Sequence, residues 1–394
     1  MLGVHVFSLL MLLIVSTGYI NGSVESIAGG DTFGVFLTSS MDVLIMERFE
    51  PIDLLTIAPE KGSLIVSNNN IFILGRSGLY IFNNKTLSFD LVFNGSVDAN
   101  KYYAVYNGVL YKMPRLKPLG HFNRVLIRES LALGFRNSVA YFYERGHLVA
   151  MINLSGYDID YSNVVDFLYT SDGVSLIQEY KRVTFILNTD NGLKVHEINY
   201  STPRALRVLY FNKSYAYILL KSRASDTGVS RYIVAVYSFH EGLFVRYMFS
   251  HRVYFPYVFI NSDLINVLDD KIVFSNVLSV LDYSCGKLLL VLKNNTIVLL
   301  DITKNTVRYS RGLQGVPYLG AIVGNASAVL VLRVAKNYSY AYMIEFSTGY
   351  NSQQRVPRAP SEGTKEGFPM GFILLSLLFY AFIVIVVILA LKKK

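Results

Sequence analysis

Residues 71–87 read IFILGRSGLYIFNNKTL, and residues 289–307 read LLVLKNNTIVLLDITKNTV. Both stretches place four apolar residues before a polar turn and four more after it, and then continue through a turn containing Asn and Thr. Short runs of Val, Ile, Leu, Tyr and Phe separated by such turns indicate β-strands joined as antiparallel hairpins. No crossover helix is needed between them.

The same pattern extends over most of the chain. Less regular copies begin near residues 140, 184 and 234. Between the apolar runs lie turn pairs that accept positive φ: Asn94-Gly95, Asn107-Gly108, Arg145-Gly146, Asp172-Gly173, Asn191-Gly192 and Glu241-Gly242. Second strands are predicted to begin near Leu79, Leu110, Leu148, Leu193, Leu243, Ile297 and Tyr342. A period of about 40 to 50 residues with several strands per unit is typical of propeller blades.

On these residues the chain resembles the degenerate β-propeller repeats of the PQQ-like and WD40-like kinds, over residues 24–350. The resemblance implies an all-β fold of about seven blades. It carries over no cofactor site, because the sequence has no Trp and therefore neither a Trp-Asp dipeptide nor Trp-docked blades. Six or eight blades, or a pair of β-sandwiches, are the alternatives.

The two ends of the chain predict a membrane protein. Residues 370–391 carry no charge and are followed by three lysines at 392–394, and a helix of that length spans about 33 Å, enough to cross a bilayer core. Residues 1–18 read as a cleavable signal peptide, and the Pro-containing residues 351–369 as a linker. An uncleaved N-terminal segment is the alternative, because no Lys or Arg precedes the apolar run. Because lysines stay on the cytoplasmic side, we expect a single-pass type I protein of the cell membrane with its N-terminal domain outside.

Glycosylation sequons support an exported domain. Nine Asn-x-Ser/Thr motifs occur where the composition predicts about three by chance. Apart from Asn21, which borders the signal segment, the predicted acceptors are Asn84, Asn94, Asn153, Asn199, Asn212, Asn294, Asn325 and Asn337. The alternative is that Asn and Ser or Thr share turns for backbone reasons. The single cysteine, Cys285, is interpreted as a buried structural thiol.

The charge of the chain restricts its partners. The formal net charge is +9 and includes the three terminal lysines, but there is no dense basic run. Nucleic acid is therefore not expected as a partner. We expect a protein or glycan partner outside the cell, in addition to the membrane.

Few residues form a candidate site. Asp158, Asp160 and Ser162 alternate in a spacing that can present oxygen ligands to Ca²⁺. The EF-hand pattern fails, because Asn163 replaces its Gly and Tyr169 its Glu, so an exposed turn is the alternative and no metal is assigned. Phe255 and Tyr257 are nominated for partner binding, because aromatic side chains in a loop favour contact with proteins or glycans.

These features favour one function over two others. The leading hypothesis is a membrane-anchored extracellular glycoprotein that acts as a binding or scaffolding module in a surface or envelope complex. One alternative is an exported hydrolase of peptides or glycans, with acidic residues from separate blades around a channel. Another is an accessory subunit of a membrane machine for secretion, glycosylation or pilus assembly. No catalytic residue and no cofactor are assigned, and whether the protein is an enzyme stays open, with the weight against it.

Overall fold

The computed structural model of this chain describes residues 14–190, 192–200, 204–223, 230–249, 253–260, 262–284, 286–304, 306–310, 315–335 and 338–346. Within them the chain forms nine antiparallel sheets of four strands each. A short 3₁₀ helix, Tyr161–Asn163, lies between two of the sheets.

The first five sheets follow one another along the chain. Sheet 1 contains β2 (Val24–Gly29), β3 (Phe33–Thr38), β4 (Asp42–Glu47) and β5 (Ile52–Ile57). Sheet 2 contains β6 (Gly62–Ser67), β7 (Asn70–Gly75), β8 (Gly78–Asn83) and β9 (Ser88–Asn94). Sheet 3 contains β10 (Asp98–Ala99), β11 (Tyr103–Tyr106), β12 (Val109–Lys112) and β13 (Lys117–His121). Sheet 4 contains β14 (Arg124–Arg128), β15 (Leu131–Arg136), β16 (Val139–Glu144) and β17 (His147–Asn153). Sheet 5 contains β18 (Val164–Thr170), β19 (Gly173–Gln178), β20 (Arg182–Thr189) and β21 (Gly192–Asn199).

The remaining sheets continue the series. Sheet 6 contains β22 (Arg204–Phe211), β23 (Tyr215–Arg223), β24 (Ser230–Ser238) and β25 (Gly242–Phe249). Sheet 7 contains β26 (Val253–Tyr254), β27 (Tyr257–Ile260), β28 (Asp263–Asn266) and β29 (Lys271–Phe274). Sheet 8 contains β30 (Val277–Ser284), β31 (Lys287–Leu292), β32 (Ile297–Asp301) and β33 (Thr306–Ser310). Sheet 9 contains β34 (Pro317–Val323), β35 (Ser327–Ala335), β36 (Tyr338–Glu345) and β1 (Ile14–Asn21).

Sheet 9 closes the ring with both ends of the described chain. β1 pairs antiparallel with β36, from Ile14 opposite Ile344 to Asn21 opposite Tyr338. First strands contact each other at five junctions between neighbouring sheets of the described chain, including β2 with β34 at the junction between sheets 1 and 9. Nine radial four-stranded sheets closed by an N-terminal strand are a β-propeller. The resemblance to propeller repeats is thus confirmed at the level of the fold.

Burial explains why these sequences form these strands. All six residues of β3 and of β19 are buried, because a second strand is covered on both faces by the adjacent sheets. The fourth strand β17 lies at the outer edge and is exposed at five of its seven positions. Apolar side chains from neighbouring sheets form the core, which is divided into clusters between sheets.

The predicted count of about seven blades is wrong, because the described chain contains nine. The count was based on residues predicted to begin second strands, and these landmark residues lie on different strands. Leu79 and Leu110 lie in third strands, whereas Leu148 and Leu193 lie in fourth strands. Sheets 1 and 7 contributed no landmark. In sheet 7 the strands are only two to four residues long, too short to give a clear apolar repeat.

The membrane predictions fall largely outside the described residues. The linker, the 370–391 segment and the terminal lysines all lie outside the residues that the structure describes. Among the residues that are described, no helix is both long and apolar enough to cross a membrane. β1 begins at Ile14, so cleavage near Gly18 would remove more than half of this strand. The signal-peptide boundary stays a prediction.

Candidate binding site

The strand order defines two faces of the ring. Because strands are antiparallel and consecutive, the turns from first to second and from third to fourth strand lie on one face, which we call the lower face. The turns from second to third strand and the connections between sheets lie on the other, the upper face. First strands line the central channel, as in other propellers.

One side chain bridges the channel near the lower face. The ammonium of Lys101 donates a hydrogen bond to Ser284 Oγ at 2.7 Å. Lys101 lies between the first two strands of sheet 3, and Ser284 ends the first strand of sheet 8. Three sheets separate them on one side of the ring and four on the other. The hydrogen bond therefore crosses the channel, and we call this place the waist.

Tyr283 and Glu129 continue the waist beside this bond. Tyr283 belongs to sheet 8 and Glu129 follows the first strand of sheet 4. Burial raises the pKa of the Tyr283 phenol, and the negative charge of Glu129 acts in the same direction. Glu129 Oε1 also lies 3.7 Å from Arg207 Nη1 of sheet 6. Sheets 3 and 4 thus approach sheet 8 directly across the channel.

Two cavities of the described chain meet at the waist. The first cavity has a volume of about 660 Å³ and is bordered by sheets 8, 9, 1, 2, 3 and 4. Its apolar lining includes Ile27, Leu64, Ile65, Val66, Leu319 and Ile322. The second cavity has a volume of about 700 Å³, and Arg207, Tyr232, Tyr254, Phe259 and Tyr283 contribute to its lining. Both volumes fall in the range of known ligand sites, about 300–1,000 Å³.

The first cavity opens at the lower face through a mouth rich in positive charge. This lower mouth has a volume of about 340 Å³, and its charged lining residues are Lys101, Lys112, Arg145 and Asp31. The lining of the mouth therefore contains three cationic side chains and one carboxylate. Asn68 and Asn69 add amide groups to the same lining. Such a surface attracts anions and excludes other cations.

A buried phenol holds the turn that carries Arg145. Tyr103 is fully buried, and its hydroxyl donates to the carbonyl of Ser130 at 3.0 Å while accepting from the Gly146 N–H at 2.8 Å. Burial raises the pKa of Tyr103 to about 12. The Arg145 N–H donates to the same Ser130 carbonyl at 2.8 Å. The backbone of Arg145 is thereby fixed while its side chain is exposed.

A buried arginine joins three sheets next to the channel. The guanidinium of Arg128 donates to Asp166 Oδ2 at 2.9 Å, to the Phe167 carbonyl at 2.7 Å and to the Val208 carbonyl at 2.8 Å. These partners belong to sheets 5 and 6, whereas Arg128 belongs to sheet 4. Burial raises the pKa of the Asp166 carboxyl, and the charge of Arg128 opposes that shift. The guanidinium stays protonated at neutral pH, because the ordinary pKa of arginine is above 12.

The carboxyl group of Asp282, in sheet 8, is held by a backbone amide of the neighbouring sheet 9. Asp282 lines the first cavity, and its Oδ2 accepts a hydrogen bond from the Ile322 N–H at 2.8 Å. Burial raises the pKa of Asp282, while the charge of Lys101 opposes the shift. Glu129 lines the same cavity. Two carboxyl groups from different sheets therefore face one space.

The residues of the candidate calcium site are placed with other partners. Asp160 accepts hydrogen bonds from the Ser162 N–H at 2.9 Å and the Ser162 hydroxyl at 2.6 Å, and it caps the 3₁₀ helix. These hydrogen bonds lower the pKa of Asp160. Asp158 instead accepts from Arg182 Nη1 at 3.0 Å. Within the described ranges, no group of three His, Cys, Asp or Glu side chains is arranged to hold a metal ion.

The nominated aromatic residues belong to sheet 7 but pack on opposite sides of it, Tyr257 toward sheet 8 and Phe255 toward sheet 6. Tyr257 is 3% exposed and belongs to a core cluster. The Phe255 ring stacks on Tyr210, with centroids 5.6 Å apart and planes 10° apart. Tyr257 is therefore a packing residue, and Phe255 is held by its stacking contact. Cys285 lies outside the described residues.

The predicted glycan acceptors are distributed unevenly over the two faces. Those at the upper face are Asn21, Asn94, Asn153, Asn199 and Asn294, all exposed. Those at the lower face are Asn84, Asn212 and Asn325. Asn337 lies outside the described residues. In sheets 3, 4 and 5 the described turns of the lower face carry no sequon.

The lower mouth was missed by sequence reasoning for a simple reason. Arg145 was recognised only as part of a turn pair, and Lys101 and Lys112 follow no motif. These residues are 44 positions apart at most along the chain, but their partner Ser284 is 183 positions from Lys101. Only the closed ring brings the lysine and the serine together.

Comparison with known proteins adds structural similarity alone. No protein family matches this sequence, and no curated protein matches it. Among solved structures, the chain is similar to the computationally designed Ika8 protein, with a TM-score of 0.38, 9% identity, and coverage of 84% of this chain and 99% of that one. It is also similar to Saccharomyces cerevisiae Sqt1, with a TM-score of 0.36, 10% identity, and coverage of 84% and 100%. For the WD40 β-propeller domain of Doa1 the TM-score is 0.30, with 8% identity and coverage of 84% and 96%.

Proposed function

We propose that this chain is a binding or scaffolding module that holds a partner protein at the lower mouth of its channel. The observation that carries the proposal is the charged mouth, where three cationic side chains outnumber the one carboxylate of Asp31 at an opening that leads into a cavity with a partly apolar wall. Fixed polar groups at the edge of an apolar pocket are typical of binding sites. The rigid ring supplies the support for these side chains.

We further propose that the module is displayed outside the cell as a single-pass type I membrane glycoprotein in a surface complex. The uncharged segment 370–391, the terminal lysines and the excess of sequons support this location. β36, the last described strand before the proposed linker in sequence, ends on the lower face. Digestion of the native protein with a glycosidase, followed by peptide mass spectrometry, tests the exported state, because a cytoplasmic protein would carry no N-glycan.

Site-specific photo-crosslinking in the native membrane tests the binding function. A photoreactive residue replaces Arg115, which is exposed beside the lower mouth, and in a matched variant it replaces Arg204, which is exposed at the upper face. We expect one protein to be crosslinked in stoichiometric amount from position 115 and not from position 204. Equal labelling from both positions, or none, would contradict a binding site at the lower mouth. The identity of the captured protein also tests whether the chain is an accessory subunit of a membrane machine.

A hydrolase is the second candidate, because Glu129 and Asp282 face the same cavity and burial raises the pKa of Asp282. General acid–base hydrolysis needs two carboxyl groups in one site, of which one has its pKa raised by its surroundings. Turnover of peptide or glycan substrates by the purified chain, abolished by Asp282→Asn, would support it. Turnover unaffected by Asp282→Asn and Glu129→Gln would exclude this pair.

A further inference from the structure

We infer that the lower mouth and the first cavity together bind an acidic peptide segment that carries an apolar side chain. The carboxylates of the segment would lie at the mouth, and the apolar side chain would enter the cavity. This inference names the ligand chemistry of the proposed binding function and rests on it.

The charges of the mouth select carboxylates. In the part of the chain that the structure describes, neither Arg145 nor Lys112 forms an ion pair. Lys112 Nζ instead lies 3.5 Å from His147 Nε2. A guanidinium binds a carboxylate through two parallel hydrogen bonds, which adds geometric specificity. The exposed Arg145, on a turn fixed by Tyr103, is therefore placed to receive a carboxylate from outside.

The cavity behind the mouth selects an apolar group. The half-buried residues Ile27, Ile65 and Leu319 contribute to the lining of the first cavity, which shares Lys101 and Arg145 with the lining of the mouth. Burial of an apolar side chain against such a wall is favourable in proportion to the area removed from water. A ligand that satisfies both parts needs negative charges next to an apolar body. A peptide with acidic residues on both sides of a Leu or Phe has that form, whereas an acidic glycan has the charges without the apolar body.

Lys101 couples the two parts of the site. Its ammonium now donates to the hydroxyl of Ser284 across the waist. A charged carboxylate is a stronger acceptor than a neutral hydroxyl. A ligand carboxylate at the mouth can therefore compete for Lys101 and widen the waist as the apolar side chain enters. The same lysine thus recognises the ligand and admits it.

Fluorescence anisotropy with the full-length protein in detergent tests this inference. The probe is a labelled octapeptide in which Leu-Phe is flanked on each side by acidic residues, and the comparison peptide has every side-chain carboxylate replaced by its amide. We expect the acidic peptide to bind at least about tenfold more tightly, which corresponds to the strength of one charge-assisted contact. Binding should weaken as salt is raised, since exposed charges are screened.

Single substitutions locate the site. Arg145→Gln and Lys101→Gln should each weaken binding of the acidic peptide about tenfold. The matched control is Arg204→Gln, at an exposed arginine on the upper face, which should leave binding unchanged. Each variant is accompanied by a thermal melt, and Lys112→Gln serves as a further mouth variant if one of the others does not fold.

The outcomes separate this inference from the proposed function. Equal affinity for the acidic and amide peptides, or equal loss with Arg204→Gln, would overturn the inference. Binding of a sulfated oligosaccharide in place of the peptide would also overturn it, because the ligand would then be a glycan. If the peptide fails while position 115 still crosslinks a partner, the proposed function stands and only the ligand chemistry is wrong.

Discussion

Individual polar atoms decide how the candidate site is held. The hydroxyl of the fully buried Tyr103 accepts a hydrogen bond from the Gly146 N–H and donates one to the Ser130 carbonyl. The Ser130 carbonyl retains the Arg145 N–H as a donor. The Gly146 N–H donates to the phenol oxygen, so the phenol matters chiefly to this amide.

Tyr103→Phe should lower the free energy of unfolding by about 1–3 kcal/mol, the cost of leaving a buried amide without an acceptor. The control is Tyr106→Phe, which removes a hydroxyl from an exposed bond to the Asn94 carbonyl and should change stability by less than about 0.5 kcal/mol. Urea unfolding of the three proteins measures the difference. Equal effects of the two substitutions would show that the buried hydrogen bonds of Tyr103 do not support the turn.

The same phenol predicts a pH dependence. The pKa of Tyr103 is raised from 10.0 to about 12 by burial, so the unfolded chain releases this proton at lower pH than the folded one. The stability that the neutral phenol contributes is complete below pH 10 and is lost as the pH rises through about 12. The difference in stability between wild type and Tyr103→Phe should therefore shrink over this window. A constant difference would contradict the assignment.

At the scale of strands, polar contacts between first strands add to the apolar clusters that join neighbouring sheets. Arg128 connects β14 with partners at β18 and β22. Its removal leaves two carbonyls without their donor and takes from the buried Asp166 carboxylate the nearer of its two cationic partners, the other being Arg207 at 4.0 Å. Arg128→Met should therefore cost about 3–5 kcal/mol of stability.

Adding Asp166→Asn to Arg128→Met should recover part of this loss, because the buried charge is removed together with its partner. Chemical denaturation of the two single variants and the double variant gives the coupling energy. Strictly additive effects would show that Arg128 and Asp166 do not act as a pair.

The closing strand β1 gives a second prediction at this scale. β1 supplies the buried Ile20 and pairs with β36 along its length. A chain that starts after residue 18 loses five of its eight residues. Its Tm should fall by about 5 °C or more, since 1 kcal/mol corresponds to roughly 2–4 °C in a large domain.

The control for this truncation is a chain that starts after residue 13 and keeps all of β1. Both proteins are produced behind the same foreign leader. Equal melting temperatures would show that β1 is not needed to close the ring, and they would remove the conflict with signal cleavage near Gly18.

Strand existence was predictable from sequence because each apolar run is bounded by a clear turn. The matched stretches at 71–87 and 289–307 both prove to be hairpins of second and third strands, β7–β8 and β31–β32. The phase of the repeat was not predictable. Residues near 140 and 184 resemble those hairpins but form third and fourth strands. An apolar hairpin has the same sequence pattern at the inner and at the outer part of a sheet, so the pattern does not say which pair of strands it forms.

For the whole molecule, closure of nine sheets creates the features that no local pattern contains. The Lys101–Ser284 bond, the waist and the two cavities depend on sheets 3, 4 and 8 meeting across the channel. Single lysines in polar turns have no sequence signature, since most such residues are simply exposed. The fold class was therefore within reach of sequence reasoning, whereas the candidate site was not.

The most direct test of this account is a crosslink across the channel. Cys285 is first replaced by Ala, and cysteines are then introduced as Lys101→Cys with Ser284→Cys; the control pair is Lys101→Cys with Thr189→Cys, at the outer part of sheet 5. A short bis-maleimide should join the first pair within one chain and leave the control pair unjoined. Failure of the 101–284 pair to crosslink in the folded protein would contradict both the nine-sheet ring and its waist.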